Sequence, residues 1–221
     1  MKIAVCVKQV PDTWAEKKLR PDDSTLDREA ADGVMNELDE YAVEEALRLG
    51  EAHGAEVTIV TMGPERAGET IRKALSMGAD AGVHLLDDGL HGSDALATSY
   101  ALAAVLDGRG FDLVVFGSES TDARMSVVPA MVAERLGLAQ LTFAQKVDVD
   151  GSTVTIERVT DSGFDTVTEA GLDPSRVGAG ASWSAVVDFA ARPAKAAGTV
   201  VADEGDGGVK IADFLTGQKF I

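Results

Sequence analysis

Three short, essentially apolar runs, Ile3–Val7, Val57–Val60 and Leu113–Phe116, limit what this chain can fold into more than any other feature. Runs of this length without polar alternation suit parallel strands covered on both faces. His84–Leu86 is a weaker fourth. Between the runs, apolar residues recur at helical spacing. The stripes are Val43, Ala46, Leu47 and Gly50; then Ile71, Ala74, Leu75 and Gly78; then Ala97, Tyr100, Ala101, Ala104 and Val105; and finally Val128, Met131, Val132 and Leu136. Ser93 is the expected cap of the third helix, and Gly63-Pro64 opens the second. Strand–helix alternation of this kind predicts an α/β fold with a doubly wound, mainly parallel sheet.

Two stretches depart from that rhythm. Val10–Val34 is a long, charge-rich excursion between the first strand and an acidic helix expected over Glu37–Gly50, and connections of that length are more often functional than idle. After Leu138 the pattern becomes alternating, Phe143–Val149 and Val154–Val159 around Asp150-Gly151, which reads as a β-hairpin over 143–159. The expected organisation is an α/β domain over 1–170, including the hairpin, and a C-terminal arm over 171–221. That arm is rich in Gly, Ala and Pro, carries EGDGG at Glu204–Gly208, and ends in a short helix from Val209 to about Gln218.

Composition excludes several classes. A length of 221 residues allows one full domain plus an appendage. No apolar run reaches the length of a membrane span, and the run behind Lys2 is too short for a signal peptide, so a cytoplasmic location is expected. One cysteine, Cys6, excludes an internal disulfide and a cysteine-based zinc site, and His53, His84 and His91 are too scattered for metal-ligand spacing. A net charge of −17 argues against nucleic acid. The same charge serves solubility or the steering of protein partners, and composition does not choose between them.

In an open parallel sheet, ligands bind beyond the carboxyl ends of the strands where strand order reverses. If Ile3–Val7 and Leu113–Phe116 are neighbours there, the loops Val7–Asp12 and Gly117–Ser126 converge. Gly117 would allow close backbone approach, Ser118 to Asp122 supply hydroxyls and carboxylates, and the helix near Ser126–Leu136 would aim free N–H groups at a phosphate. The alternative is a solvated capping turn. Asn36 is either a helix cap or an amide that reads an adenine edge or fixes the excursion over a nucleotide. Cys6 is a small core residue or a reactive thiol; Asp122 and Arg124 are ligands or solvated charges; Trp14 and Trp183 are packing or interface residues. No nucleophile elbow, Walker A loop or G-x-G-x-x-G after a strand is present, and KQVPDT after the first strand lacks the phosphate loop of an ATP-splitting enzyme. The chain reads as a binding protein, not an enzyme.

Four segments, VCVKQVPD at Val5–Asp12, MNELDEYAVEEALRL at Met35–Leu49, TIRKALSMGAD at Thr70–Asp80 and GSESTD at Gly117–Asp122, make the chain resemble the electron transfer flavoprotein beta subunits, particularly their high-GC bacterial branch. ERVTDSGFDTVTEA and the tail PAKAAGTVVADEGDGGVKIADFL carry the same resemblance. It implies a Rossmann-like, three-layer, adenine-nucleotide-binding fold whose C-terminal arm packs on a partner. The implied cofactors are a structural AMP and an FAD held mainly by the alpha subunit. The implied partners are that alpha subunit, the acyl-CoA and related dehydrogenases of fatty acid oxidation, and a membrane quinone oxidoreductase. Carried onto this sequence, the nucleotide contacts fall on Cys6, on Asn36, Glu37, Leu38 and Asp39, on Met62, and on Gly117, Ser118, Glu119, Ser120, Thr121, Asp122, Ala123, Ser126, Val127 and Val128.

Two departures from the family stand out. Asp122–Pro129 reads DARMSVVP where many members place Gln and Thr donors around the phosphate, which leaves AMP and a second, electron-bifurcating FAD as alternatives. Secondly, the family carries about 40 residues between Glu169 and Gly171, a strand and then the leucine anchor that grips dehydrogenases, and losing a strand costs about 1–3 kcal/mol per buried unpaired group. Either the segment is deleted, leaving a weakly folded subunit poor at docking, or these residues skip it; the second is the expectation. A stand-alone nucleotide sensor of the universal stress type is the remaining alternative.

Overall fold

A computed structural model describes residues 1–160, 163–169 and 216–217. In chain order its strands are β1 (Lys2–Cys6), β2 (Gln9–Pro11), β3 (Gly33–Met35), β4 (Glu56–Met62), β5 (Ala81–Leu85), β6 (Leu113–Phe116), β7 (Ala144–Asp150), β8 (Thr153–Thr160) and β9 (Gly163–Glu169). Its helices are α1 (Glu37–His53), α2 (Gly68–Met77), α3 (Ala95–Leu106) and α4 (Val128–Leu136). The chain divides into two compact units, Met1–Leu172 and Asp173–Ile221. Of the second unit only Thr216 and Gly217, which are helical, are described. Trp183, the EGDGG segment at Glu204–Gly208 and most of the helix expected from Val209 lie outside the described residues.

The central sheet is wholly parallel in the order β5-β4-β1-β6, the doubly wound α/β arrangement that the strand–helix alternation predicts. The apolar runs are continuous because both faces are covered. Ile3 and Val5 pack with Val57, Ile59, Val43, Ala46 and Leu49 on the α1 side. Ala4, Cys6 and Val60 pack with Leu102, Leu106 and Val132 on the α3–α4 side. α1 stops at Gly54, whose left-handed φ of 62° lets its N–H close on the Gly50 carbonyl without a Cβ penalty.

Helix α3 departs from expectation twice. Its cap is Asp94, whose carboxylate accepts from the Ala97 N–H at 2.8 Å, while the Ser93 hydroxyl donates to Leu90 O. Its buried face is Ser99, Leu102, Ala103 and Leu106, and Tyr100, from the predicted stripe, is exposed. ALATSYALAAVL is apolar nearly all round, so periodicity alone does not select a face.

The excursion is an arm rather than an open loop. Its base is closed by antiparallel pairing of β2 with β3, Gln9 opposite Met35 and Pro11 opposite Gly33, and a bridge between Leu19 and Leu26 holds it further out. The hairpin forms with Asp150 opposite Thr153, which places the turn on Gly151-Ser152, one residue later than predicted. β9 adds to β8 as a third strand that the sequence did not suggest.

Candidate functional site

β1 has β4 on one side and β6 on the other, so winding reverses between β1 and β6 and their carboxyl ends flank the crevice where such folds bind ligands. Lys8 leaves β1 at this point and Gly117 leaves β6. The amino end of α1 is wedged between them. Asn36 N–H donates to Lys8 O at 2.9 Å, and the Lys8 N–H donates to the Asp39 carboxylate at 2.7 Å.

Asn36 is fully buried, and its side chain does not cap α1. Its amide instead donates to Glu119 O at 2.9 Å and accepts from the Thr121 N–H at 3.0 Å. The side chain therefore fastens the 117–122 loop to the start of the helix, and both ends of the amide are engaged. The structure gives the amide a positioning role, holding the 117–122 loop at the start of α1. Gly117 is constrained by the same packing, since a Cβ there would lie 2.2 Å from Asp39 Oδ1 and 2.8 Å from the Leu38 carbonyl carbon.

Asp39 is 5% exposed, and burial pushes its carboxyl up to about 6. The neighbouring Asn36 amide (whose own hydrogen bond goes to Glu119), the Lys8 N–H and charge, and the Gly117 N–H hold it back. Asp122 behaves oppositely. Burial raises its carboxyl, but Lys8, Ser120 and Arg28 together outweigh that and hold it at about 2. Its side chain is 1% exposed and bridges two cations, Lys8 Nζ at 2.8 Å and Arg28 Nη2 at 3.1 Å. Arg28 belongs to the arm, so this carboxylate fastens the arm across the crevice. Thr13 against Thr121 adds a second tie, and Arg66 donates to Arg28 O and Ala31 O from below.

Asp122→Asn is expected to lower stability by about 1–2 kcal/mol, because two half-exposed cations lose their shared counter-ion. The linked pH effect follows from a folded-state value held below the ordinary 3.8. The stabilisation is complete above about pH 4 and is lost as pH falls towards 2. Trypsin cleavage at Lys17 or Lys18, measured at neutral pH, should accelerate in the variant.

Beyond Asp122 the loop is strained. Arg124 and Ser126 have φ of 49° and 54°, a region disfavoured for residues with a Cβ. The Ser126 hydroxyl donates to Glu119 Oε2 at 3.0 Å, so it does not cap α4, whose N-cap Val127 offers no side-chain bond. The N–H groups of Val128 and Ala130 are thus left for another acceptor, Pro129 between them having none. Ser126→Gly should raise stability by about 0.5 kcal/mol by relieving the left-handed strain, read as a small rise in the thermal midpoint.

The remaining candidates divide by layer. Cys6, Met62 and Val128 share the apolar packing between the sheet and α3–α4. Burial, and then Asp39, push the Cys6 thiol well above its ordinary range, as suits a small core residue. Leu38 backs Gly117, Ser120 accepts from Lys8 Nζ at 3.3 Å, and Glu37, Ser118 and Ala123 are exposed. Lys8 and Arg28 were missed as site residues. Lys8 follows the first strand directly and was open to inference; Arg28 meets a residue 94 positions away and has no local signal. Among the described residues no cluster of His, Cys, Asp and Glu suits a metal, and no helix is long and apolar enough to cross a membrane.

A mainly parallel sheet with a loop-and-helix crevice at its switch point defines a doubly wound α/β protein with a candidate ligand site there. Comparison with known proteins makes this specific. Residues 23–200 match the electron transfer flavoprotein domain family. The chain is 44% identical to the electron transfer flavoprotein subunit beta of Mycobacterium bovis, covering 99% of both chains, and 42% identical to that of Clostridium acetobutylicum, covering 76% of this chain and 64% of the relative. It is also 42% identical to protein FixA of Azorhizobium caulinodans, over 74% of this chain and 60% of that one. The chain belongs to the electron transfer flavoprotein beta-subunit family. The Mycobacterium bovis alignment spans 263 positions against 221 residues here, so at least their difference, 42 positions, has no residue in this chain.

Proposed function

We propose that this chain pairs with an electron transfer flavoprotein alpha subunit, buries AMP as a structural nucleotide, and forms one wall of a cavity for an FAD held mainly by that subunit. The heterodimer would carry electrons from acyl-CoA and related dehydrogenases to a membrane quinone oxidoreductase in the cytoplasmic compartment. The observation that carries this reading is the crevice between β1 and β6, where the uncapped amino end of α4 meets the loop that Asn36 fastens. The donor set suits a nucleotide phosphate. Lys8 and Arg28 bring two positive charges against the single carboxylate of Asp122, and the α4 N–H groups add a dipole of the right sign. The apolar layer holding Cys6, Met62 and Val128 is suited to the flat face of a base. Within this arrangement the chain binds and orients, and the flavin supplies the redox chemistry.

The test is co-expression with an alpha subunit, denaturation of the purified complex and identification of the released nucleotides. AMP with one FAD per heterodimer supports the reading. Two FAD and no AMP would make this a bifurcating subunit, and a stable flavin-free homodimer would make it a nucleotide sensor. The positions missing against the mycobacterial relative bear on docking, because the family resemblance places the dehydrogenase anchor among them. Heterodimer assembly is therefore expected to survive while flavin reduction by a dehydrogenase is slower than in that relative, as stopped-flow absorbance would show. An intact mass of 23.0 kDa for the purified chain checks that the join at Glu169–Gly171 is in the protein itself.

A further inference from the structure

Among the described residues, β6 is hydrogen-bonded to β1 alone, so the far edge of Leu113–Phe116 presents main-chain groups with no strand beside them. Along that edge runs a groove of about 830 Å³. Leu38 and Leu49 of α1 line one side, Val132 of α4 another, and Val154 and Ile156 of β8 a third. Its charged lining residues are Glu44, Glu45 and Asp112, with no Lys, Arg or His among them; Glu45 is paired with Arg48, which leaves Glu44 and Asp112 as the unneutralised carboxylates of the rim. An open edge satisfies its N–H and C=O groups by taking on another extended chain. Apolar surfaces on several sides call for apolar side chains on both faces of that chain, and an acidic rim calls for basic flanks. A net charge of −17 disfavours a second copy.

We propose that the groove along β6 accepts a β-strand from a partner polypeptide, an extended apolar segment with basic flanking residues that adds to the free edge of Leu113–Phe116. This goes beyond flavin carriage and does not depend on it.

The test is residue-resolved amide hydrogen exchange on the full chain, with a probe peptide of alternating valine and isoleucine flanked by lysines. Exchange at the alternate amides of Leu113–Phe116 that point away from β1 is expected to slow about tenfold with the peptide bound. An N-methylated version, which cannot complete the ladder, should leave it unchanged. Ala130→Trp, at an exposed α4 position lining the groove, should abolish the protection. Glu44→Lys, at an exposed α1 position, should weaken the lysine-flanked peptide and favour a glutamate-flanked one. Three results would overturn the proposal. One is slow exchange of those outward-facing amides in the chain alone, which means the edge is already filled from within. Another is protection that rises with protein concentration without peptide, which means a second copy fills it. The third is equal slowing by the N-methylated peptide.

Discussion

Gly117→Ala is expected to be among the most damaging single-methyl additions in the described part of this chain. The added Cβ would lie 2.2 Å from Asp39 Oδ1, 2.8 Å from the Leu38 carbonyl carbon and 2.9 Å from its oxygen. Two of those atoms are backbone in the first turn of α1, and the third belongs to a carboxylate held by the Lys8 N–H. None is the free end of a flexible side chain, so relief requires α1 and the end of β6 to separate. That would stretch the Asn36 bonds to Glu119 and Thr121 and loosen the crevice. The expected loss is about 3 kcal/mol, a fall of roughly 6–12 °C in the thermal midpoint of a domain this size, and weaker retention of the nucleotide proposed to bind there. Gly68→Ala is the control. Its Cβ would find only His84 ring atoms at 3.6 and 3.8 Å, in ordinary contact, and alanine suits the first position of α2. That variant should be neutral or slightly stabilised. A Gly117→Ala midpoint within a degree of the parent would sink this account of the wedge.

What the sequence revealed and what it hid follow from the range of the interactions involved. β1, β4 and β6 were legible because a strand buried on both faces must be apolar along its length, a property visible in a few adjacent residues. α4 was legible because its polar positions mark the exposed side. α3 was not, since Leu96 and Tyr100 are as apolar as its buried face and yet are exposed. The switch point was inferable from strand order, but the work of its residues was not. Asn36 looks like a cap because Asn before an acidic helix usually is one. Here its amide meets a loop more than eighty positions away, which no local pattern announces. The arm shows the same limit: its polarity was read correctly, while the pairing of β2 with β3 and the Arg28–Asp122 tie depend on contacts distant in sequence.

Asn36 and Asp39 together give the second large effect, and pH distinguishes its parts. Asn36→Ala removes a buried donor and acceptor, leaving Glu119 O and the Thr121 N–H without partners, at a cost of about 2–4 kcal/mol. A further term comes from Asp39, whose folded-state value of about 6 lies above the ordinary 3.8. A raised carboxyl favours the fold most below about pH 4, and that advantage is lost as pH rises through 6, where the buried group ionises. By neutral pH this costs the parent roughly 3 kcal/mol. Removing the Asn36 amide takes away one of the influences that hold Asp39 down, so its carboxyl should rise further. Parent and variant then suffer alike below about pH 6, where Asp39 is mainly protonated in both folds, and diverge above it. The midpoint difference between them should therefore be nearly constant from pH 5 to 6 and widen towards pH 8. Asn36→Asp sharpens the contrast. It keeps an acceptor for the Thr121 N–H but loses the donor to Glu119 and sets a second carboxylate beside Asp39. The pair then shares one proton at low pH and repels when both ionise. Its loss should grow from about 1 kcal/mol near pH 5 to about 3 kcal/mol at pH 7. A difference from the parent that stays flat across pH 5–8 in both variants would mean that Asn36 holds the loop without touching the ionisation of Asp39. The crevice would then be fastened by hydrogen-bond geometry alone, with no electrostatic link between the start of α1 and the 117–122 loop.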